Sequence, residues 1–164
     1  MHDISLYLLD IIENSVRAEA GVIAVSIAVD RDGDALTVGV EDDGPGLPVT
    51  ADQALDPFYT TKREKKTGLG LSLFRQAAEA AGGGLSVSRS DELGGLAVRA
   101  RMRLGDVDRP PLGDVVATIA TMVATNPAIE FRVQVDDDGA RTSLRGPEVP
   151  QRLAELVSFQ EALP

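Results

Sequence analysis

The chain has 164 residues, 43% of them hydrophobic, which is enough for one folded domain, or one domain with a small appendage, around an apolar core. Its net charge of −10 argues against nucleic acid and acidic membranes as partners. Cysteine is absent, no apolar run reaches the length of a membrane span, and the single histidine, His2, leaves almost nothing for a histidine-based triad or a zinc cluster. We therefore expect a cytoplasmic protein without membrane insertion.

The first third of the chain is predicted to contain a helix followed by a hairpin. Apolar residues recur at helical spacing from residue 3 to about 20, so they are expected to share a buried face. Residues 23–29 and 36–40 alternate in period two around the turn DGD, which predicts a β-hairpin. The stretch 41–66 is rich in glycine and proline and is predicted to be mostly loop, with a short helical piece at 50–55.

A helix and two more strands are predicted next. The helix covers residues 71–81 and ends at the glycines 82–84. Strands over 85–89 and 96–104 are predicted to pair around the turn DELGG. Every second residue of the last strand is apolar, so the intervening residues are expected to form a solvated sheet face. That face carries Arg99, Arg101 and Arg103.

The sequence DVDRPPLG at 106–113 is typical of a joint between two units. We therefore divide the chain into a domain at 1–105 and an extension at 106–164. The extension is predicted to form an α-β-β-α unit with a helix over 115–123, a hairpin over 129–144 and a helix over 153–159.

Three polar residues of the first helix are spaced to lie on one edge of it. Asp10, Asn14 and Arg17 stand at i, i+4 and i+7, within about 60° of one another. Such a stripe is either an ordinary polar helix face or a binding edge. In the second case the Asn14 carbonyl is a suitable partial ligand for magnesium beside a phosphate chain, and Arg17 can reach a phosphate.

The second strand ends in VEDDGPGLP. Its carboxylate Asp42 either caps its own turn or accepts a hydrogen bond from an exocyclic amine such as that of adenine. In the second case Gly44 and Gly46 let a base lie close to the backbone.

The segment DPFYTTKREKKTGLGL combines cations with glycines. Four cations stand just before Gly68 and Gly70 in a protein with an acidic excess, which favours a polyanion there. The alternative is a solvated charged loop. The four cations are Lys62, Arg63, Lys65 and Lys66.

These motifs, in this order, resemble those of the GHKL ATPase superfamily, which includes DNA gyrase, the heat-shock chaperone ATPase, the sensor histidine kinases and MutL. LLDIIENSVRAEA resembles its N box, VEDDGPGLP its G1 box, DPFYTTK the kinase F box and KTGLGLSLF its G2 box. The resemblance covers roughly residues 3 to 104 and is closest to the histidine-kinase branch. It implies an α+β fold, a two-layer sandwich with helices on one face of a mixed sheet, to which the C-terminal α-β-β-α extension is added.

The resemblance also implies a site for ATP and Mg²⁺ under a lid at about 59–67. By motif position, Asn14 holds magnesium, Arg17 a phosphate and Asp42 the adenine amine, Gly44 and Gly46 shape the adenine pocket, and Lys62 reaches in from the lid. The remaining residues expected to bind ATP are Phe58, Thr67, Gly68, Leu69, Gly70 and Leu71. Thr67 is also a candidate cap for the helix behind it.

Two departures from the family pattern bear on activity. The hydrolysing branches place a glutamate where this chain has Asp10, a shorter candidate for the base that orients water. Histidine kinases carry their phospho-accepting histidine on a dimerisation domain, whereas this chain begins almost at the N box, so a stand-alone protein is expected.

The expected function is therefore transfer of the γ-phosphoryl group of Mg-ATP to a separate partner protein in bacterial signalling or regulation. The alternatives are a nucleotide-dependent binding switch, such as an anti-sigma-like or assembly regulator, and a slow ATPase that uses Asp10. A homodimer is compatible with each. The tail VATNPAIEFRVQVDDDG is similar to that of short stand-alone ATPase proteins associated with bacterial iron-only hydrogenase systems, which implies a regulatory or maturation partner.

Overall fold

The computed structural model describes residues 2–46 and 65–163, apart from the side chains of residues 65–69 and 153. Helices and strands stand in the predicted order, and a short 3₁₀ turn, Gly146–Glu148, precedes the last helix. The helices are α1 (Ile4–Arg17), α2 (Lys65–Ala80), α3 (Val115–Thr125) and α4 (Leu153–Glu161). The strands are β1 (Val22–Asp30), β2 (Ala35–Asp42), β3 (Gly84–Arg89), β4 (Leu96–Arg103), β5 (Glu130–Asp137) and β6 (Ala140–Arg145).

The six strands form one mixed sheet in the order β3-β4-β2-β1-β5-β6. Neighbouring strands are antiparallel except β1 and β5, which pair in parallel from Val22 opposite Glu130 to Val29 opposite Asp137. The strands of the C-terminal extension therefore continue the sheet of the preceding residues. The α+β fold with a mixed sheet is confirmed.

The core lies between one face of this sheet and the helices. Strand β1 alternates as predicted, so Ile23, Val25, Ile27 and Val29 are buried while the residues between them are only partly covered. The apolar stripe of α1 packs into the same continuous cluster as residues of α2, α3 and α4. On the opposite face of the sheet the three arginines of β4 are exposed, as their alternation predicts.

The start of α2 differs from the prediction. The helix begins at Lys65 rather than at Leu71, so Thr67, Gly68 and Gly70 lie inside its first turns and Thr67 does not precede it as a cap. Glycine lowers helix propensity by only about 1 kcal/mol, and the buried side chains of Leu71 and Phe74 anchor the following turns in the core. The predicted end is correct, since Gly82 has a φ of +78°. The helical piece predicted at 50–55 lies outside the described residues.

Candidate functional site

The polar edge predicted on α1 is present. Arg17 donates a hydrogen bond from its guanidinium to Oδ1 of Asn14 at 2.6 Å. Asp10, one turn before Asn14, is half-buried, and the charge of Arg17 acts on it. Asp3 caps the N-terminus of the helix: its carboxylate accepts a hydrogen bond from the backbone N–H of Leu6 and so stabilises the first turn.

The carboxylate of Asp10 faces the glycine-rich start of α2. A Cβ placed on Gly70 would lie 3.3 Å from Oδ2 of Asp10 and 3.6 Å from its Cβ, so the backbone of α2 passes close to this side chain. Burial raises the pKa of Asp10 above its ordinary 3.8, and the charges of His2 and Arg17 oppose that shift. A carboxylate in this position can hold a proton or orient a water molecule more readily than an exposed one.

An aromatic stack holds α1 and α2 together beside this contact. The rings of Tyr7 and Phe74 are parallel within 5°, with centroids 4.6 Å apart. The ring of His2 also stacks on Tyr7, with centroids 5.5 Å apart. The stack fixes the distance between the two helices, and with it the distance between Asp10 and Gly70.

Asp42, at the end of β2, is the most enclosed carboxylate of the site. It is 3% exposed and accepts three hydrogen bonds from the protein. Ser15 Oγ donates to Oδ2 at 2.6 Å, while the backbone N–H groups of Gly44 and Leu96 donate to Oδ1 at 2.9 and 3.1 Å. Such a network holds the carboxylate plane in one orientation.

The turn between β3 and β4 closes against Asp42. The backbone N–H of Gly95 donates to the carbonyl oxygen of Asp42 at 3.0 Å. A Cβ at position 95 would lie only 2.6 Å from the backbone nitrogen of Gly44, and in contact with Asp42 as well. Only glycine fits where these two backbone segments meet.

Positions 44 and 46 favour glycine for different structural reasons. A Cβ on Gly44 would lie 3.2 Å from Oδ1 of Asp42 and 3.6 Å from the carbonyl oxygen of Ala18, so this glycine allows the end of β2 to pass close to the end of α1. Gly46 has a φ of +80°, which favours glycine, and no described atom lies within 4 Å of a Cβ built there. Close packing thus favours glycine at position 44, and the positive φ favours it at position 46.

Helix α1 connects the two ends of this arrangement. Asp10 contacts α2 at Gly70, and Ser15 contacts Asp42 at the end of β2. The two residues are five positions apart, which is about 7.5 Å along the helix axis. The helix edge that carries Asn14 and Arg17 therefore lies between the enclosed carboxylate of Asp42 and the glycine-containing start of α2.

Several of the residues expected to bind ATP cannot be placed in this geometry. Phe58 and Lys62 lie outside the described residues, as do the side chains of Thr67 and Leu69. The backbone of Gly68 lies in the first turn of α2. Leu71 is 3% exposed, and its side chain belongs to the core. The lid proposed for 59–67 falls outside the described residues up to residue 64 and is helical from Lys65.

The residues at hand fit a magnesium ion that takes most of its ligands from phosphate and water. Within residues 2–46 and 65–163, no three His, Cys, Asp or Glu side chains are grouped so that they could hold a metal ion. The amide oxygen of Asn14 on α1 suits such an ion, because Mg²⁺ is commonly bound by a few protein oxygens together with substrate phosphates.

Sequence reasoning missed Ser15, Gly95 and Leu96. Ser15 directly follows Asn14 and is 2% exposed on the buried side of α1, and a hydroxyl on an apolar stripe is a signal that a polar partner lies opposite. The glycine pair in DELGG was interpreted only as a turn. No local pattern shows that this turn folds back onto a strand that ended 53 positions earlier.

The sequence profile described as "Histidine kinase-, DNA gyrase B-, and HSP90-like ATPase" matches residues 2–106. The chain is 38% identical to the sensor histidine kinase CpxA of Escherichia coli K12 over 95 residues, which is 54% of this chain and 20% of CpxA. It is 33% identical to the sensor protein kinase PilS of Pseudomonas aeruginosa over 100 residues, 57% of this chain and 19% of PilS. The chain thus spans about a fifth of the length of these relatives.

A solved structure entitled "Crystal Structure of N terminal domain of a DNA repair protein" superposes on 87% of this chain and 52% of its own, with a TM-score of 0.55 and 15% identity, which supports the fold alone. None of the described helices is long and apolar enough to cross a membrane. The matched residues contain the α1 edge, Asp42 with its glycines and the start of α2. The chain is similar in sequence to part of the sensor kinases CpxA and PilS, and it belongs to the family of histidine kinase-, DNA gyrase B- and HSP90-like ATPases.

Proposed function

We propose that this protein binds Mg-ATP between α1, the end of β2 and the start of α2, and transfers the γ-phosphoryl group to a separate partner protein. The observation that carries the proposal is the buried carboxylate of Asp42, held by three donors at the end of a strand that is followed by Gly44 and Gly46. A carboxylate of this kind can accept one further hydrogen bond, and the 6-amino group of adenine is a suitable donor.

The phosphates extend from the base along the edge of α1. Asn14 offers its amide oxygen to the metal ion, and Arg17, which now donates to that oxygen, is close enough to turn toward a phosphate instead. The N-terminal turns of α2 add partial positive charge and backbone N–H groups near Gly68 and Gly70. When bound, Mg²⁺ supplies charge neutralisation for the leaving and transferred phosphates.

Transfer to a partner protein is supported by the proteins to which this chain is similar in sequence. Its relatives CpxA and PilS are sensor kinases, and both are about five times longer than the segment they share with it. Asp10 stands in the place of the water-activating acid, near the start of α2. A carboxylate there can also serve slow hydrolysis, so the fate of the γ-phosphoryl group decides between transfer and hydrolysis.

The test follows the γ-phosphoryl group itself. The purified chain is incubated with γ-labelled ATP and Mg²⁺, alone and with a nucleotide-free soluble extract of the source cells, and the label is traced to protein, inorganic phosphate or unreacted ATP. Matched reactions use Asn14→Ala and Asp42→Ala, which remove the metal ligand and the base acceptor. We expect label in an extract protein with the wild-type chain and with neither variant.

The other outcomes separate the alternatives. Label released as inorganic phosphate by the wild type alone means an ATPase. ATP that binds tightly but stays intact, with and without extract, means a nucleotide-dependent switch. A chain that does not bind ATP in direct titration contradicts the proposal as a whole.

A further inference from the structure

Ser15 makes the one hydrogen bond that joins α1 to the carboxylate of Asp42. Its hydroxyl donates to Oδ2 at 2.6 Å, and the two residues are 2% and 3% exposed. Ser15 is also the direct neighbour of Asn14, so the bond sets the register of the polar edge of α1 against the end of β2. Both partners are buried and lie 27 positions apart in the sequence, so the hydrogen bond is a tertiary contact and not part of a local turn.

The acceptor capacity of Asp42 can be counted. An ionised carboxylate has two oxygens with about two acceptor positions each. The N–H groups of Gly44 and Leu96 both donate to Oδ1, and Ser15 takes one position on Oδ2. Counting the donors among the described residues, one acceptor position, on Oδ2, is left for a ligand.

We propose that Ser15 is a positioning residue that selects the nucleobase: it holds the carboxylate plane of Asp42 so that the one open position of Oδ2 meets the 6-amino group of adenine. The inference rests on the proposed function, in which Asp42 lies at the base. Without the hydroxyl, Oδ2 has two open positions and the carboxylate loses the restraint on its outer oxygen, so the amino group is bound less firmly.

The contribution of Ser15 is therefore tied to the amino group and not to the nucleotide as a whole. A change that only loosened α1 would weaken binding of any triphosphate, because the metal and phosphate contacts lie on the same helix. A change that acts through Asp42 lowers the affinity only for ligands that carry the 6-amino group. Purine riboside triphosphate, which lacks that group and is otherwise identical to ATP, distinguishes the two cases.

The experiment is calorimetric titration with Mg-ATP and with the magnesium complex of purine riboside triphosphate. Ser15→Ala is expected to weaken the binding of ATP about tenfold, which is the usual effect of removing one hydrogen bond to a charged group. The affinity for the analogue is expected to change less than about twofold. Ser15→Cys keeps a donor at this position, although a weaker and bulkier one, and its affinity for ATP is expected to fall between those of the wild type and Ser15→Ala. Thermal unfolding verifies that each variant is folded.

Two controls make the result specific. Ser5 is a second buried serine on α1 whose hydroxyl donates to a carboxylate, that of Asp3 at 2.5 Å, so Ser5→Ala removes the same kind of bond and is expected to leave both affinities unchanged. In an Asp42→Asn background, Ser15→Ala is expected to lose its effect on ATP, because both act through the same acceptor.

The outcomes separate this inference from the proposed function. If the wild type binds ATP and Ser15→Ala weakens both ligands equally, or neither, or retains its effect in the Asp42→Asn background, the inference is overturned while the nucleotide site stands. If the wild type binds neither ligand, the proposed function fails and the inference fails with it.

Discussion

Arg17 donates a hydrogen bond to the side-chain oxygen of Asn14 across 2.6 Å, one turn along α1. The oxygen proposed as a magnesium ligand thus lies against an N–H donor of the Arg17 guanidinium. Binding of a metal ion at Asn14 requires the guanidinium to turn away, and the phosphates that arrive with the metal are its natural new acceptors. The two events are therefore expected to occur together.

The first prediction concerns this metal ligand. Asn14→Ala is expected to weaken the binding of Mg-ATP at least tenfold and to leave the binding of ATP in EDTA within about twofold, because one ligand of the ion is lost while the base contact is kept. Isothermal titration with and without Mg²⁺ measures the difference. Gln134→Ala, which truncates an exposed amide on β5, is the matched control. Equal losses with and without magnesium would contradict the assignment of Asn14.

The second prediction concerns the base. Asp42 is expected to accept from the adenine amine, where guanine has a carbonyl, so GTP would place two acceptors against each other in an enclosed site. Leaving the buried acceptor unpaired costs on the order of 1–3 kcal/mol, so ATP should bind roughly ten- to a hundredfold more tightly than GTP. Asp42→Ala is expected to remove most of that preference, measured by titration with both nucleotides.

Asp43 is the matched control for this experiment. It is the adjacent carboxylate, but it points to the other side, where Oδ1 accepts from the backbone N–H groups of Gly21 and Val22 at 2.8 Å each. Asp43→Ala is expected to lower stability while the preference for ATP over GTP stays as in the wild type. A preference that survives Asp42→Ala would place the base elsewhere.

The third prediction tests the turn that closes on Asp42. Gly95→Ala is expected to destabilise the fold by about 1–3 kcal/mol or more, because the new Cβ meets backbone at positions 42 and 44 that has no freedom to move aside. The substitution should also weaken the binding of ATP, because a backbone shift at positions 42 and 44 displaces the carboxylate of Asp42. Gly84→Ala is the matched substitution on β3, where no atom of the described residues lies within 4 Å of the added Cβ. Denaturant midpoints for both variants provide the measurement, and equal midpoints would mean that the turn adjusts freely.

The positions of the helices and strands follow from the sequence because each depends on a local pattern. The alternation of Val22–Asp30 and Leu96–Arg103 gives the buried and exposed faces of two strands directly, and the stripe of Ile4, Leu8 and Ile11 gives the buried face of α1. Alternation does not reveal which strands pair. The parallel pairing of β1 with β5 joins segments more than 100 positions apart, so it could not be predicted from either one.

The candidate site divides in the same way. The edge of Asp10, Asn14 and Arg17 is a helical spacing and could be predicted. The bond from Ser15 to Asp42 and the contact of Gly95 with Gly44 depend on tertiary packing, which no local spacing contains. The predicted start of α2 is too late: glycine is a poor helix former, but the buried residues that follow Gly68 and Gly70 hold the helix in the core.

The last prediction concerns Asp138, which ties the extension to the rest of the chain. At the turn between β5 and β6, its carboxylate accepts from the backbone N–H of Arg31 and from the guanidinium of Arg31, both at 2.7 Å. The backbone hydrogen bond first, and then the guanidinium, hold the pKa of Asp138 below its ordinary 3.8. The stabilisation is therefore fully present above pH 3.8 and is lost as the pH falls through the lowered pKa of the folded state.

Asp138→Asn tests this contribution, because asparagine tolerates the φ of +51° at this position while it removes the charge and one of the two acceptor oxygens. At neutral pH the variant is expected to unfold at a lower urea concentration than the wild type, and the difference should shrink as the pH falls below 3.8. Asp32→Asn, at an exposed carboxylate of the turn between β1 and β2, controls for the change in net charge. Since β5 pairs with β1 along eight residue pairs, we expect one transition to shift as a whole. A variant whose midpoint equals that of the wild type at neutral pH, or a separate early transition for the extension, would show that the Arg31 contact does not bind the two segments into one folding unit.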